Sequence, residues 1–373
     1  MPRTLSGTPI PYDYAMEQVA SDEAETIAEL TEALLKISHT TFADSGHGLR
    51  SVHAKGHGIL RGEMRVLDGL APQWAQGIFA KPRSYPVVMR LSTSPGDILG
   101  DSVSTPHGVA IKVIGVEGKR LPGSEQATTQ DFLMVDGPAL PVPNAKKFLG
   151  SLKLLAATAD KAEGLKKAVS ALLRGTERVL ESVNIESDAI KGLGGHAMTH
   201  ILGDTFFTQV PMRHGLYVGK FSLAPVSPEL QALTGAPLDL RHHPDGLREA
   251  VRDHFRDHGA EWELRVQLCT DLETMPIEDA SVAWPELQSP YVAVARITVP
   301  RQVTWDEDGS PALDEALSFS PWHGVVDHQP LGSVMRARRQ AYAASVEFRG
   351  SRNGCPMHQP SSVDEALAPN RQP

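Results

Sequence analysis

Cysteine is nearly absent: Cys269 and Cys355 are the two in 373 residues, far apart and in unlike contexts. That excludes a disulfide framework and a cysteine-based zinc site, so metal chemistry would have to use His, Tyr, Asp, Glu or a prosthetic group. A basic excess is also missing. The chain carries 36 Lys and Arg against 45 Asp and Glu, a formal net charge of -9. With no positive surplus to release counterions, nucleic acid and anionic membranes are poor partners, and a small molecule is the expected one. No apolar run is long enough to span a bilayer, and the opening MPRTLSGTPIPYDYAMEQ has no apolar core of the signal-peptide type. A cytoplasmic protein without a membrane span is expected.

What is present suits a substantial core, with 41% hydrophobic and 22% charged residues. Residues 1–20, rich in proline and polar groups, read as an extended arm. Helical periodicity follows, with Ile27, Leu30, Leu34 and Leu35 on one stripe and Ser21 and Asp22 as candidate caps. From about residue 50 the period changes to that of strands. Short runs rich in Val, Ile and Met start at Gly62, Pro86, Gly108 and Asp131, and turn residues separate them. A helical stretch over roughly 144–185 interrupts them. Strands resume near Thr205, Leu216, Glu261 and Tyr291, and a final helix covers about 330–348. Such segregation predicts an α+β protein with an antiparallel sheet or barrel, not alternating βαβ units.

Several clusters invite chemistry. Arg50-Ser-Val-His-Ala-Lys-Gly-His-Gly58 carries two histidines among small residues, with His47 just upstream. On the strand that the following alternation predicts, His53 and His57 would stand about 13 Å apart at ~3.3 Å per residue, too far to share an ion. His254 and His258 fall four apart on a helical stretch, but Arg252, Asp253, Arg256 and Asp257 around them read as a solvated charged face. Gly192-Leu-Gly-Gly-His196 follows no strand and reads as a turn. Cys355-Pro356 belongs to residues 351–373, read as a flexible tail.

The last helix is anomalous. Its stripe through Leu331, Val334, Met335, Arg338, Ala341, Tyr342, Ser345 and Arg349 is apolar apart from its cations and Tyr342. A charge on a core-facing stripe needs a partner. Arg338 lies one turn before Tyr342, within reach of its phenol oxygen, and a fixed cation there favours phenolate, a ligand for ferric haem iron. A core tyrosine beside a snorkelling arginine accounts for the same pattern.

Arg-x-x-His-Ala-Lys-Gly near the start and Arg-x-x-x-Tyr near the end together resemble the two signatures of haem catalases, and the chain is most similar to the short catalase-related peroxidases. The ordered matches include Val88-Met-Arg-Leu-Ser-Thr93, Pro106-His-Gly-Val-Ala-Ile-Lys112, Asp131-Phe-Leu-Met-Val-Asp136, Gly203-Asp-Thr-Phe-Phe207, Tyr217-Val-Gly-Lys-Phe221 and Phe319-Ser-Pro321. The resemblance implies an antiparallel eight-stranded β-barrel flanked by α-helices, one haem domain over residues 21–350, and haem b between the barrel and the last helix. It implies His53 as the distal acid–base group with Ser92 and Val52 beside it. Tyr342 would be the axial iron ligand, Arg338 its stabiliser, and Arg50, Arg90 and Arg349 the partners of the haem carboxylates.

Two positions depart from the catalase pattern. Thr128 aligns with the distal asparagine, with Gln130 the nearest amide, and Thr105 aligns with the acid of the main channel. These departures favour a peroxidase that consumes peroxide with a small organic reductant over a true catalase. A lipid hydroperoxide isomerase and a non-catalytic haem-binding protein are the other readings. A homodimer is expected.

Overall fold

The eight runs read as strands pair into a closed wall. The computed structural model describes residues 5, 7–94, 96–102, 105–159, 198–354, 357 and 359–366. Its strands are β1 (Gly56–Val66), β2 (Ser84–Thr93), β3 (His107–Ile114), β4 (Thr129–Val135), β5 (Phe206–Phe207), β6 (Met212–His214), β7 (Tyr217–Pro225), β8 (Ala260–Leu268) and β9 (Val292–Val299). Every pairing is antiparallel, in the order β5-β4-β3-β2-β1-β9-β8-β7-β6. A further β5–β7 pairing closes eight of them into a barrel, leaving β6 as an appendage on β7.

Alternation decides what each strand buries. Val87, Met89 and Leu91 of β2, Val109, Ile111 and Val113 of β3, and Phe132 and Met134 of β4 join one core. Phe79, Phe132 and Phe221 share it with His214 and His328, with ring centroids 5.1–6.4 Å apart. The opposite face of β1–β3 gives Ile59, Val88 and Ile114 to a second cluster with Leu317, Phe319 and Ala366.

The helices are α1 (Glu23–Ser45), α2 (Ala145–Ala159), α3 (Pro228–Gln231), α4 (Gly246–Asp257), α5 (Ser310–Ala316), α6 (Ser333–Asn353) and α7 (Val363–Ala366). Glycines in the left-handed region, Gly46 and Gly354, end α1 and α6. α1, α2 and α6 pack together through Leu30, Ala145, Leu149 and Ala337. Arg336 of α6 ties this layer to the rest by ion pairs with Glu17 (2.6 Å), Glu23 (2.6 Å) and Glu278 (3.0 Å).

Some expectations shift. α1 continues past the apolar stripe ending at Leu35 to Ser45, with Ser38 and Thr41 buried and Phe42 edge-on to Phe348 of α6. α2 is the described part of the 144–185 stretch; residues 160–185, the turn at 192–196 and Cys355-Pro356 lie outside the described residues. The N-terminal arm lies along the barrel, with Ile10 N bonded to Cys269 O and Tyr12 N to Leu216 O. The tail is docked where it is described: Gln359 Oε1 accepts from Lys112 Nζ at 2.7 Å, and Ala366 is buried. Among the described residues no helix is long and apolar enough to cross a membrane.

Candidate active site

The outer face of three strands makes the floor of a cavity. Across β2, β3 and β4 the register sets Ser92, Gly108 and Val135 in one row, Arg90, Ala110 and Leu133 in the next, and Val88, Lys112 and Asp131 in the third. Period-two alternation puts all nine on one side. The segment around Arg50–His53, Leu34 of α1, Phe319 and one stripe of α6 complete an open cavity of about 870 Å³, counting the space at its mouth. That is within the ~300–1,000 Å³ of small-molecule and cofactor sites.

Eight of the residues proposed from the sequence line this one cavity: Arg50, Val52, His53, Arg90, Ser92, Arg338, Tyr342 and Arg349. Thr128 does not, and its assignment is corrected. It is exposed, next to Thr129, which pairs with Ile114. Gly108, under His53, is six residues away along β3, about 20 Å at ~3.3 Å per residue. The end of β4 that reaches the cavity is Leu133–Val135, opposite in direction to the end where Thr128 sits. Gln130 is likewise elsewhere, buried with its amide bonded to Val325 N and Asp131 O. Thr105 is buried outside the cavity lining.

His53 precedes β1 in a left-handed conformation, φ 54°, which is uncommon for a residue with a side chain. Its N–H donates to Ser94 O at 2.9 Å, and its Nδ1 lies 3.1 Å from Ser92 Oγ. The ring lies against Gly108, where a Cβ would come within 2.7 Å of Nδ1 and closer still to Cε1. Its exposed part faces the cavity. Burial, and then the charges of Arg90, Arg338 and Arg50, push the imidazole down to about 3, so it is neutral at neutral pH.

The cations are held by one short helix end. Arg90 makes a bidentate pair with Asp314, Nε to Oδ1 at 2.5 Å and Nη2 to Oδ2 at 3.0 Å. Arg50 reaches the same carboxylate at 3.2 Å and donates to Leu317 O at 2.8 Å, while Arg349 donates to Glu315 O at 3.1 Å. The α5 C-terminus thus collects guanidinium groups on its carbonyls, where the helix dipole favours them. Against burial, the three arginines hold the Asp314 carboxyl well below the usual carboxylate range.

Arg338 and Tyr342 both face the cavity, but the Arg338 guanidinium donates to Met335 Sδ at 3.9 Å, and among the described residues it makes no hydrogen bond to Tyr342. Met335 lies one turn back on the same stripe and competes for it. Three features of the site escaped the sequence reading. Asp314 is the acid that answers the buried arginines. Gly108 is the plane on which His53 rests. Gln209 lines the cavity at φ 62° and sends its Nε2 to Ala139 O at 2.8 Å.

The histidine cluster weighed as a metal site is dispersed. His47 pairs with Glu315 at 3.1 Å, and His57 is buried with Nε2 3.1 Å from Thr93 Oγ1. Among the described residues, the group close enough to share an ion is His107, Asp136 and Asp204 at the barrel rim. In it His107 Nδ1 and Asp204 Oδ2 are 2.7 Å apart. His254 sits half-buried on α4 with Nε2 3.1 Å from Gly259 O, and exposed His258 is the extended residue that ends the helix, beside exposed ion pairs such as Arg256–Asp253.

A barrel closed by eight antiparallel strands, with a cavity between its outer face and a late helix, has counterparts among solved structures. Catalase A from Saccharomyces cerevisiae superimposes with a TM-score of 0.57 and 15% identity, covering 98% of this chain and 71% of that one. The fold is that of catalases. A fungal catalase matches with a TM-score of 0.54 and 17% identity over 90% of this chain and 68% of its own. A bacterial catalase gives 0.55 and 14%, over 91% and 63%. No protein-family model matches the catalase-fold chain, and no curated protein does.

Proposed function

We propose that this catalase-fold chain is a haem-dependent peroxidase that reduces hydrogen peroxide or an organic hydroperoxide and oxidises an organic donor. The observation that carries the reading is that one cavity is lined by His53 from the barrel side and Tyr342 from α6, with arginines along its wall. The residues present fit haem b. Ala110, Leu133 and Phe319 give apolar surface for a macrocycle, Tyr342 offers a phenol oxygen to iron, and Arg50 and Arg349 offer cations to its carboxylates. When bound, the haem would supply the iron at which the O–O bond breaks and would store the two oxidising equivalents that the donor then reduces.

The chain's own residues handle the proton. Ser92 occupies His53 Nδ1, so Nε2 is the nitrogen left to take a proton from one peroxide oxygen and return it to the other, which then leaves as water. His53 starts neutral, as a base must, and a low pKa makes its protonated form a strong donor for the second half of the transfer. Val52, Leu133 and Phe207 give the cavity part of its apolar lining.

Peroxidase is favoured over dismutation because, among the described residues, no asparagine lines the cavity, and the side-chain amide that does, Gln209, spends one of its two N–H donors on Ala139 O. With the haem-loaded protein, oxidation of a dye by peroxide should exceed oxygen evolution per haem. Fast oxygen release at an oxygen electrode would instead make it a catalase. Consumption of a lipid hydroperoxide without any donor would mark an isomerase. His53→Ala should keep haem and lose peroxide reactivity; unchanged reactivity would remove His53 from the reaction.

A further inference from the structure

Of the three arginines expected from the sequence to partner cofactor carboxylates, Arg90 has most of its donors engaged within the protein. Arg90 is buried, and four of its five N–H donors are committed: two to the Asp314 carboxylate, one to His53 O at 2.9 Å and one to Ala54 O at 3.1 Å. The two carbonyls it holds belong to the turn in which His53 adopts φ 54°. A left-handed conformation in a residue with a Cβ is costly, on the order of 1–3 kcal/mol, and persists where the surroundings over-determine it. Here the turn is held on both sides, by Ser94 O on the His53 N–H and by Arg90 on the two carbonyls.

A long arginine would not hold that geometry alone. Asp314 orients it, through the fork-to-fork pair that fixes the guanidinium plane. The room for this carboxylate is made by Gly56, where a Cβ would come within 2.8 Å of Asp314 Oδ2 and 3.3 Å of the Trp305 ring. We propose that Asp314 is a positioning residue for the proton-transfer histidine: acting through Arg90, it locks the strained His53–Ala54 turn so that the ring stays against Gly108. Arg90 is then a brace for the backbone, and it keeps one N–H uncommitted in the cavity that Arg50 and Arg349 also line. The link to catalysis rests on the proton role given to His53 above; the brace itself does not.

The test uses the full chain in two forms. In the haem-free protein, amide hydrogen exchange of a peptide spanning residues 50–56 should quicken at least tenfold in Asp314→Asn, with β8 and β9 unchanged. Asp314→Glu, which keeps a carboxylate, should recover part of the protection. Arg90→Lys, which keeps the charge and loses the fork, should loosen the same peptide and decides the matter if Asp314→Asn fails to fold. In the haem-loaded protein, Asp314→Asn should react with hydrogen peroxide at least tenfold more slowly per bound haem, the bound fraction being read by Soret titration. Parent-like exchange in residues 50–56 of the variants overturns the brace, and so does a loss of protection spread evenly over the barrel. If the parent takes up no haem, the peroxidase reading falls and the exchange result still decides the brace.

Discussion

Acid should unfold this protein earlier than its carboxylates alone would require, and the cause is histidine. Burial pushes His200 and His214 down to about 4 and His328 to about 3. Each is built to be neutral. His328 accepts the Ile78 N–H on Nε2 at 3.1 Å while Nδ1 donates to Arg213 O at 3.3 Å, and His214 Nε2 donates to Trp74 O at 2.9 Å. An unfolded histidine titrates near 6.5, so below that pH the unfolded chain binds more protons than the folded one. The contribution is therefore full above pH ~6.5 and is lost as pH falls towards the folded values. Going from pH 7 to pH 5, each histidine forfeits about 2 kcal/mol, and the three together about 5–6 kcal/mol as an upper bound.

That loss compares with a whole-domain stability of about 5–15 kcal/mol. His53 and His57 add to it with the same sign, held well below the usual value by burial and neighbouring cations. Asp101, raised by burial, works the other way and is outnumbered. Urea midpoints followed by tryptophan fluorescence should fall steeply from pH 7 to pH 5, with proton uptake on unfolding at pH 5 exceeding the contribution of His200, His214 and His328 alone. His328→Gln should take away about one proton of that uptake. Equal midpoints at pH 7 and pH 5 would refute the reasoning, because they would mean that the buried imidazoles exchange protons as freely folded as unfolded.

Other outcomes follow from close contacts. Gly108→Ala places a methyl against the His53 ring; haem should be retained and the peroxide rate should drop at least tenfold in stopped flow, while a parent-like rate would show that the ring can sit elsewhere. Lys112→Met leaves the buried Asp131 without its 2.7 Å cation, with an expected cost of about 3–5 kcal/mol in urea unfolding; a loss under about 1 kcal/mol would mean that His323 and Ser320 suffice to hold the carboxylate. Ending the chain after Gly354 removes Gln359 and α7 from the barrel wall and should cost about 2–4 kcal/mol. An unchanged urea midpoint would show the docked tail to be idle.

The barrel strands were legible because each is a short Val-, Ile- or Met-rich run between turn residues, and the eight runs read are the eight that close. β6, three residues long, and the short helices α3, α5 and α7 carry no period to read. In the site, Arg338 and Tyr342 stood out from local spacing, Arg50 and His53 from the resemblance to haem catalases, and all four line one cavity. Thr128 failed because an alignment anchored on Phe132 settles a count of residues but not a direction. Antiparallel pairing of β4 with β3 carries Val135, not Thr128, to the row of Gly108. Asp314 was invisible for a related reason: it reaches Arg50 and Arg90 across separations of 264 and 224 residues, and no local pattern records which acid answers a buried cation.

The barrel is also unevenly stapled. β5 contributes two residues and joins its neighbours through three cross-strand pairs, one to β4 and two to β7, whereas β1 and β2 share nine. Local opening needs the fewest ladder bonds broken at that stave. Phe207, Thr208 and Gln209, at and just after it, line the cavity. The part of the wall that can breathe most cheaply is therefore the part that overlooks the chemistry, while the floor beneath His53 is fastened along full-length strands.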